Sequence, residues 1–202
     1  MTGEDVEAFG RCIAVGGVAL FPSDTVYGLA TEPDSTEGVR RLYALKGRPA
    51  DKPAAVMFFD PELALAALPE LGPRTHAALT RLLPGAVTIL LPNPARRYPL
   101  ACAPRPDRLG LRVPALTGTL GPLGAMRRPV LQSSANRSGG SEARAVAEVD
   151  GRIRAGVDLE LDGGELPGTH STVVDLGDYE VTGRHAIVRQ GRVPAAGVAA
   201  AL

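Results

Sequence analysis

Short apolar runs of strand length alternate with segments of helical periodicity along this chain, and this alternation restricts the possible folds more than any other feature. The apolar runs cover residues 18–21, 54–59, 86–91, 109–113, 129–131, 171–175 and 186–189. Strands that alternate with helices favour an α/β fold, a layered sheet with helices packed on it, over a bundle or a β-sandwich. Only about ten residues separate the last two runs, as in a hairpin, so we expect a mixed sheet.

Periodicity and capping residues predict helices between these runs. The predicted helices cover residues 4–14, 36–46, a short segment after 60–61, 74–83 and 142–153, with a mixed helical stretch before Met126. Asp34 or Ser35 is expected to cap the second helix, and Asp60 the third. Polar residues 23–25 and the polar segment 133–140 directly follow apolar runs. We therefore predict a turn over residues 23–30 at a pocket rim and a polar loop over 133–140.

Composition excludes several classes of function. The 22 acidic and 22 basic residues cancel, so no global basic field recruits nucleic acid. Aromatic residues make up 4% of the chain and tryptophan is absent, which argues against base-stacking platforms. No apolar run approaches the length of a membrane span, and we expect a soluble, cytoplasmic protein with Cys12 and Cys102 reduced.

Common catalytic motifs are also absent. The sequence has no Walker A motif, no Gly-x-Gly-x-x-Gly after a strand, no Gly-x-Ser-x-Gly and no Cys-x-x-Cys. His76, His170 and His185 are scattered, so we predict no metal-ligating residues. A metalloenzyme or a triad hydrolase is therefore disfavoured.

The distribution of lysine points to one loop. The chain has 20 arginines but only two lysines, and both lie in the segment Lys46-Gly-Arg-Pro-Ala-Asp-Lys52. Arginine and lysine differ in shape and hydration, so two retained lysines suggest positions that need a compact ammonium. Compositional chance is the alternative interpretation.

Cationic and hydroxyl-bearing residues lie near the ends of the predicted strands. They are Thr25, Lys46, Arg48, Lys52, Arg112, Ser134, Asn136, Ser171 and Arg189. Ligands of open α/β sheets bind outside strand ends, and this inventory suits a nucleoside triphosphate together with a small carboxylate. Each of these residues also has a structural alternative. Arg112 could form a buried ion pair, and residues 134–136 could form an Asx turn. The Thr25 hydroxyl could form a hydrogen bond to the backbone at a strand end.

The order of the motifs is similar to that of the YrdC/Sua5 family, the L-threonylcarbamoyladenylate synthases. The similarity rests on Pro22-Ser-Asp-Thr-Val-Tyr-Gly-Leu29, Lys46-Gly-Arg-Pro49, Leu109-Gly-Leu-Arg-Val-Pro114, Ser133-Ser-Ala-Asn136, Ser171-Thr-Val-Val-Asp175 and Ile187-Val-Arg189. It extends over roughly residues 5–193. The resemblance implies one YrdC-like domain over residues 1–202, with a twisted mixed sheet, helices packed on it and a concave, positively charged cavity.

The resemblance also implies a reaction. L-threonine, bicarbonate or CO2, and ATP would give threonylcarbamoyl-AMP and pyrophosphate, for the N6-threonylcarbamoyl modification of tRNA adenosine 37. Mg²⁺ is expected on the phosphates, held chiefly by the nucleotide and water. The product would pass to a tRNA threonylcarbamoyl transferase complex.

Site residues are carried over from the family by motif. ATP would be bound by Lys46, Arg48, Ser134, Asn136 and Arg189. Lys52 and Arg108 form a second set assigned to ATP, at positions where the match to the family is weaker. Threonine would be contacted by Thr25, Arg112 and Ser171. Lys46 and Arg48 would be catalytic, because the reaction needs positioning and charge neutralisation but no side-chain nucleophile.

Departures from the family pattern leave alternatives. Ser23 stands where the family usually has threonine, and Met57 stands where it often has a histidine that can donate a hydrogen bond. The extra C-terminal domain of the longer Sua5 type is not expected, so we predict the short form. The alternatives are a non-catalytic RNA-binding or translation-associated paralogue, with at most weak RNA binding, and a carbamoyl-transfer paralogue with another substrate.

Overall fold

Nine strands form one sheet in the computed structural model, which describes residues 1–202. The strands are β1 Ala19–Pro22, β2 Tyr27–Thr31, β3 Ala55–Met57, β4 Val87–Pro92, β5 Arg108–Arg112, β6 Val130–Ser134, β7 Leu159–Glu160, β8 Thr172–Asp175 and β9 Ala186–Arg189. Their order is β7-β1-β2-β6-β3-β5-β4-β8-β9. The pairs β1/β7, β3/β5 and β4/β8 are parallel and the other five are antiparallel. The predicted mixed α/β sheet is confirmed.

Eight α-helices accompany the sheet. They are α1 Gly3–Ala14, α2 Thr36–Lys46, α3 Pro61–Ala66, α4 Pro73–Leu82, α5 Pro99–Cys102, α6 Gly151–Gly156, α7 Tyr179–Thr182 and α8 Ala195–Ala201, with 3-10 helices at Gly118–Ala125 and Val146–Glu148. Side-chain oxygens of Thr2, Ser35 and Asp60 cap α1, α2 and α3 by accepting from backbone amides. No helix combines the length and the apolar character that a membrane span requires.

Two predicted segments differ from the structure. The turn predicted at 23–30 contains β2, which forms a tight antiparallel hairpin with β1 and is buried along its whole length. Burial on both faces removes the polar alternation that identifies a strand. The helix predicted at 142–153 is mostly loop, because the carbonyl groups of Ala143 and Arg144 accept from the amides of Tyr27 and Leu166 instead of from helical neighbours.

The two faces of the sheet differ in how they are covered. One face lies under the larger apolar cluster, to which Leu20, Leu29, Val56, Ile89, Leu111, Leu131 and Val174 contribute. The other face is covered by α1 only at one end, where Phe9 and Ile13 pack against Phe21, Met57 and Val130. Beyond that end this second face carries small and polar residues together with a few aliphatic ones, such as Leu90 and Val173. It therefore provides an open floor on which a ligand can lie.

Candidate functional site

Three connected clefts lie on the open face of the sheet. The inner cleft has Ser23, Gly28, Arg112 and Gln132 in its lining, the cation cleft has Lys46, Lys52 and Asn136, and the apolar cleft has Leu90, Gly110 and Val188. The inner and cation clefts share Arg48, Ser134, Glu142, His170 and Arg189, and the inner and apolar clefts share Pro53, Ala54, Ala55, Thr88 and Val173. The three clefts thus form one continuous surface with the inner cleft in the middle.

Arg112 forms the floor of the inner cleft. Its Nη2 donates to Asp24 Oδ1 at 2.5 Å and to the Thr25 hydroxyl at 2.5 Å, and it lies 3.5 Å from the Ser23 hydroxyl. Its Nε is buried and has no hydrogen-bond partner. Burial lowers the pKa of Arg112, and the charge of Asp24 opposes that effect. The guanidinium is therefore held in place on one side and has an unused donor on another.

Neighbouring polar groups complete the inner cleft. The hydroxyls of Ser171 and Thr88 are 2.8 Å apart. The side chain of Gln132 is almost buried and makes no hydrogen bond within the protein. The cleft has a volume of about 160 Å³, against about 590 Å³ for the cation cleft. Its size and its polar lining suit a small polar molecule.

Arg189 reaches the cleft because β9 contains an irregularity. Val174 pairs with Ile187, but the next pair along β8 joins Val173 to Arg189, so Val188 is an extra residue. A bulge of this kind changes the face toward which the following side chains point. Arg189 consequently lies on the same face as Val173, where its Nη2 donates to the Ser171 carbonyl at 3.0 Å.

Lys46 is the buried cation of the cation cleft. It ends α2, and its Nζ donates to the carbonyl groups of Ser134 and Asn136 and to Asn136 Oδ1 at 3.2 Å. Burial lowers the pKa of Lys46 to about 8, with a smaller contribution from the charge of Arg48. Gly47 follows in the left-handed conformation, with a φ of 57°, which turns the chain sharply into the Arg48 loop.

The loop after β6 is folded on itself. The Ser134 hydroxyl donates to Asn136 Oδ1 at 2.6 Å, and Asn136 Nδ2 donates to the Gly140 carbonyl at 2.5 Å. The backbone amides of Gly139 and Ser141, in contrast, have no acceptor within the protein. Free amides beside Lys46 give this loop donors suited to an anion.

The structure brings most of the predicted site residues together. Lys46, Arg48, Lys52, Ser134, Asn136 and Arg189 line the cation cleft, and Arg112 and Ser171 line the inner cleft. Thr25 is fully buried, lines none of the three clefts, and accepts a hydrogen bond from Arg112. Arg108 lies in the apolar cleft, paired with Asp175 at 2.7 Å. Met57 is buried against the aromatic cluster and lines none of the three clefts.

Sequence reasoning missed three residues of the clefts. Gln132 and Glu142 were not singled out, and His170 was treated as an ordinary loop residue. Gln132 follows the apolar run that defines β6, which is a usable signal. Glu142 and His170 gave none, because they belong to loops that meet only in the folded chain.

Comparison with known proteins identifies the family. The family model for the Sua5/YciO/YrdC domain, described as "Telomere recombination", matches residues 11–191. The chain belongs to the Sua5/YciO/YrdC family. The family predicted from the motifs is therefore confirmed.

Three relatives of this Sua5/YciO/YrdC protein carry the same name. Proteins named threonylcarbamoyl-AMP synthase are 29% identical over 183 residues in Pyrococcus abyssi and 36% identical over 174 residues in Bacillus subtilis. These matches cover 90% and 80% of this chain but 52% and 47% of the relatives, so the chain spans about half their length. A Xanthomonas campestris protein of the same name is 31% identical, over 79% of this chain and 86% of the relative.

Solved structures share the fold. The structure of P. abyssi Sua5 complexed with L-threonine superposes with a TM-score of 0.85 at 25% identity, covering 100% of this chain and 58% of that one. Escherichia coli YciO has a TM-score of 0.76 at 23% identity, covering 94% and 90%. The second likeness shows the fold alone.

Proposed function

We propose that this chain is a threonylcarbamoyl-AMP synthase, which forms threonylcarbamoyl-AMP and pyrophosphate from L-threonine, bicarbonate or CO2, and ATP. One observation carries the proposal: the buried Arg112 lies in the lining of a small cleft that opens directly into a cleft lined by four cations. A carboxylate site beside a polyphosphate site suits a reaction in which ATP adenylates a carbamate formed on a bound amino acid. The names of the relatives support the same reaction.

Threonine would occupy the inner cleft. Its carboxylate would accept from Arg112, whose guanidinium is already oriented by Asp24 and Thr25. Gln132 and Ser171 offer polar groups to the rest of the molecule. In this arrangement Thr25 does not contact threonine itself but holds the guanidinium of Arg112 in place.

ATP would extend across all three clefts. The phosphates suit the cation cleft, where Lys46, Arg48, Lys52 and Arg189 supply positive charge. The purine ring suits the apolar cleft, whose wall includes Arg108 held by Asp175. With the base on one side and the distal phosphates on the other, the α-phosphate would lie over the inner cleft and close to threonine.

This placement accounts for the chemistry. The threonine amine is converted by CO2 or bicarbonate to a carbamate, one oxygen of which attacks the α-phosphorus in line while pyrophosphate leaves. The cations stabilise charge that moves onto the leaving group, and the clefts align the reactants. Arg48 is the more exposed of the two proposed catalytic cations, whereas Lys46 also holds the Ser134 loop.

Magnesium would depend on the nucleotide. The cation cleft offers a single carboxylate, Glu142, among four cations, which is not a protein cage for Mg²⁺. Phosphate oxygens and water would supply the remaining ligands, and Mg²⁺ would neutralise phosphate charge.

The cellular setting follows from the product. A threonylcarbamoyl adenylate is a reactive mixed anhydride and needs a nearby acceptor. The proposed acceptor is a tRNA threonylcarbamoyl transferase complex in the cytoplasm. No membrane is proposed to take part. We also propose that residues 1–202 act as one YrdC-like domain with a positively charged cavity, since all three clefts belong to one sheet.

Substrate omission tests the proposal. Pyrophosphate release from ATP should require both threonine and bicarbonate, because neither alone supplies the attacking carbamate oxygen. Release with ATP alone, or equal release with any amino acid, would contradict the synthase assignment. A lack of release with tight binding of RNA would favour the non-catalytic alternative.

A further inference from the structure

Glu142 is the only acidic residue in the lining of the inner cleft and also of the cation cleft. It lies on the loop after β6, and the carbonyl of the next residue, Ala143, accepts from the amide of Tyr27 at 2.9 Å. Tyr27 and Gly28 line the inner cleft, so this bond fixes Glu142 at its edge. A negative charge is thereby placed in a site otherwise lined by cations.

The carboxylate of Glu142 lacks the donors that such a group normally has. Its side chain is 20% exposed, yet no hydrogen bond from the protein reaches either oxygen. Its only close partner is His170, whose Nδ1 lies 3.3 Å from one oxygen. A carboxylate offers about four acceptor sites, so most of the acceptor capacity of Glu142 is unused within the protein.

His170 is fixed from its other side. Its Nε2 lies 2.9 Å from the Gln190 carbonyl, and its own carbonyl accepts from the amide of Arg192. The imidazole ring is therefore held by the segments next to β8 and β9, which form one wall of the cleft. Glu142 lies on the loop after β6, which forms the opposite wall. The pair orients Glu142 across the junction of the inner and cation clefts.

A zwitterionic amino acid needs two opposite charges from its site. Arg112 supplies the positive one from the inner cleft. Glu142 is close enough for its charge to oppose the lowering, by burial, of the pKa of both Arg112 and Lys46. An α-ammonium has three N–H donors and lies one carbon from the carboxylate. A threonine held at Arg112 would therefore direct its ammonium toward the single carboxylate of the lining.

We infer that Glu142 binds the α-ammonium group of the amino-acid substrate and makes the inner cleft selective for α-amino acids over other small carboxylates. This inference rests on the proposed function. It assigns Glu142 a role in substrate positioning, with His170 orienting the carboxylate.

Paired ligands test the inference in the full chain. Calorimetry, with and without ATP, would compare the dissociation constant of L-threonine with that of 2,3-dihydroxybutyrate, in which a hydroxyl replaces the ammonium. The wild-type protein should prefer threonine by at least about tenfold, the value of one charge-assisted hydrogen bond. In Glu142→Gln this preference should fall below about threefold, while ATP affinity stays equal or increases because a negative charge has left the phosphate site.

Two control variants separate recognition from structure. Glu165→Gln removes an exposed carboxylate that pairs with Arg144 and should leave the preference unchanged. His170→Gln keeps the charge of Glu142 and should retain most of the preference for threonine. If Glu142 only joins the two walls of the cleft through His170, His170→Gln should reduce the preference as much as Glu142→Gln does.

Full preference for threonine in a folded Glu142→Gln variant, checked by thermal melting, overturns the inference. A wild-type protein that does not bind threonine under either condition contradicts the proposed function itself.

Discussion

Arg112 and Asp24 form an ion pair of 2.5 Å between Nη2 and Oδ1, and their side chains are only 5% and 7% exposed. The second oxygen of Asp24 accepts from the Ala115 amide at 3.0 Å. The structural role that the sequence left open for Arg112 is therefore real. It does not exclude a ligand role, because Arg112 also lies in the lining of the inner cleft.

The first prediction separates these two roles. Arg112→Ala leaves Asp24 buried without its partner and should lower the free energy of unfolding by about 3–5 kcal/mol. Arg112→Lys keeps a positive charge, but its single nitrogen cannot serve both Asp24 and a carboxylate. We expect threonine affinity in Arg112→Lys to fall about ten- to hundredfold, with ATP affinity within about threefold.

Calorimetry with each substrate and denaturant unfolding measure these effects. Equal losses for threonine and ATP in Arg112→Lys would mean that the residue only supports the fold of the cleft.

The second prediction concerns the two lysines. Lys46→Arg should reduce turnover about ten- to hundredfold, because a planar guanidinium cannot donate to the Ser134 and Asn136 carbonyls from the same buried position. Overpacking should also destabilise the fold by about 1–3 kcal/mol. Lys52 is exposed, so Lys52→Arg is the matched control and should change turnover less than about threefold.

Steady-state pyrophosphate release and thermal melting compare the two variants. Turnover of Lys46→Arg close to that of the wild type would show that the confinement of lysine to this loop is a compositional accident.

The sequence predicted local structure better than it predicted contacts between distant segments. Helices α1 to α4 were predicted because their apolar spacing and their caps, such as Ser35 and Asp60, are short-range signals. Strand β2 was missed because burial on both faces hides its periodicity. The loop at Glu142 was wrongly predicted as helix. The carbonyl groups of Ala143 and Arg144 accept from residues more than twenty positions away, and no local pattern signals such bonds.

The same distinction holds for the site. The cations of the Lys46–Arg48 loop were identified from composition and motif order. The bulge that directs Arg189 into the cleft adds one residue to an otherwise regular strand, and simple alternation would place Arg189 on the face of Ile187. The pairing of Glu142 with His170 depends on two loops whose meeting no local pattern encodes.

The third prediction concerns Met57, which stands where the family often has a histidine that can donate a hydrogen bond. The side chain is fully buried near Phe9, Phe21 and Phe59 and does not line the inner cleft. Met57→Leu conserves volume and should leave threonine affinity within about twofold and stability within about 1.5 kcal/mol. Met57→His should instead destabilise the protein by about 1–3 kcal/mol, since it buries a polar ring among apolar side chains.

Threonine titration and denaturant unfolding of both variants are the measurements. A change of threonine affinity above tenfold in a stably folded Met57→Leu protein would show that this residue shapes the pocket after all.

The fourth prediction follows from the depressed pKa of Lys46. Burial lowers this pKa to about 8 in the folded protein, from an ordinary value of 10.5. Between pH 8 and 10.5 the unfolded chain binds more protons at this residue than the folded chain does, so its contribution to the free energy of unfolding rises with pH in this window. The difference in melting temperature between the wild type and Lys46→Met should therefore shift in favour of the wild type from pH 7 to pH 9.5.

ATP affinity should change in the opposite direction. As Lys46 loses its proton above about pH 8, the cation cleft loses one positive charge, and ATP affinity of the wild type should decline through this range. Because bound phosphate favours the charged lysine, saturating ATP should move the stability transition to higher pH. Lys46→Met should lack both effects, and titrations common to the two proteins cancel in the comparison. An ATP affinity that falls equally in both proteins above pH 8 would assign the decline to another group.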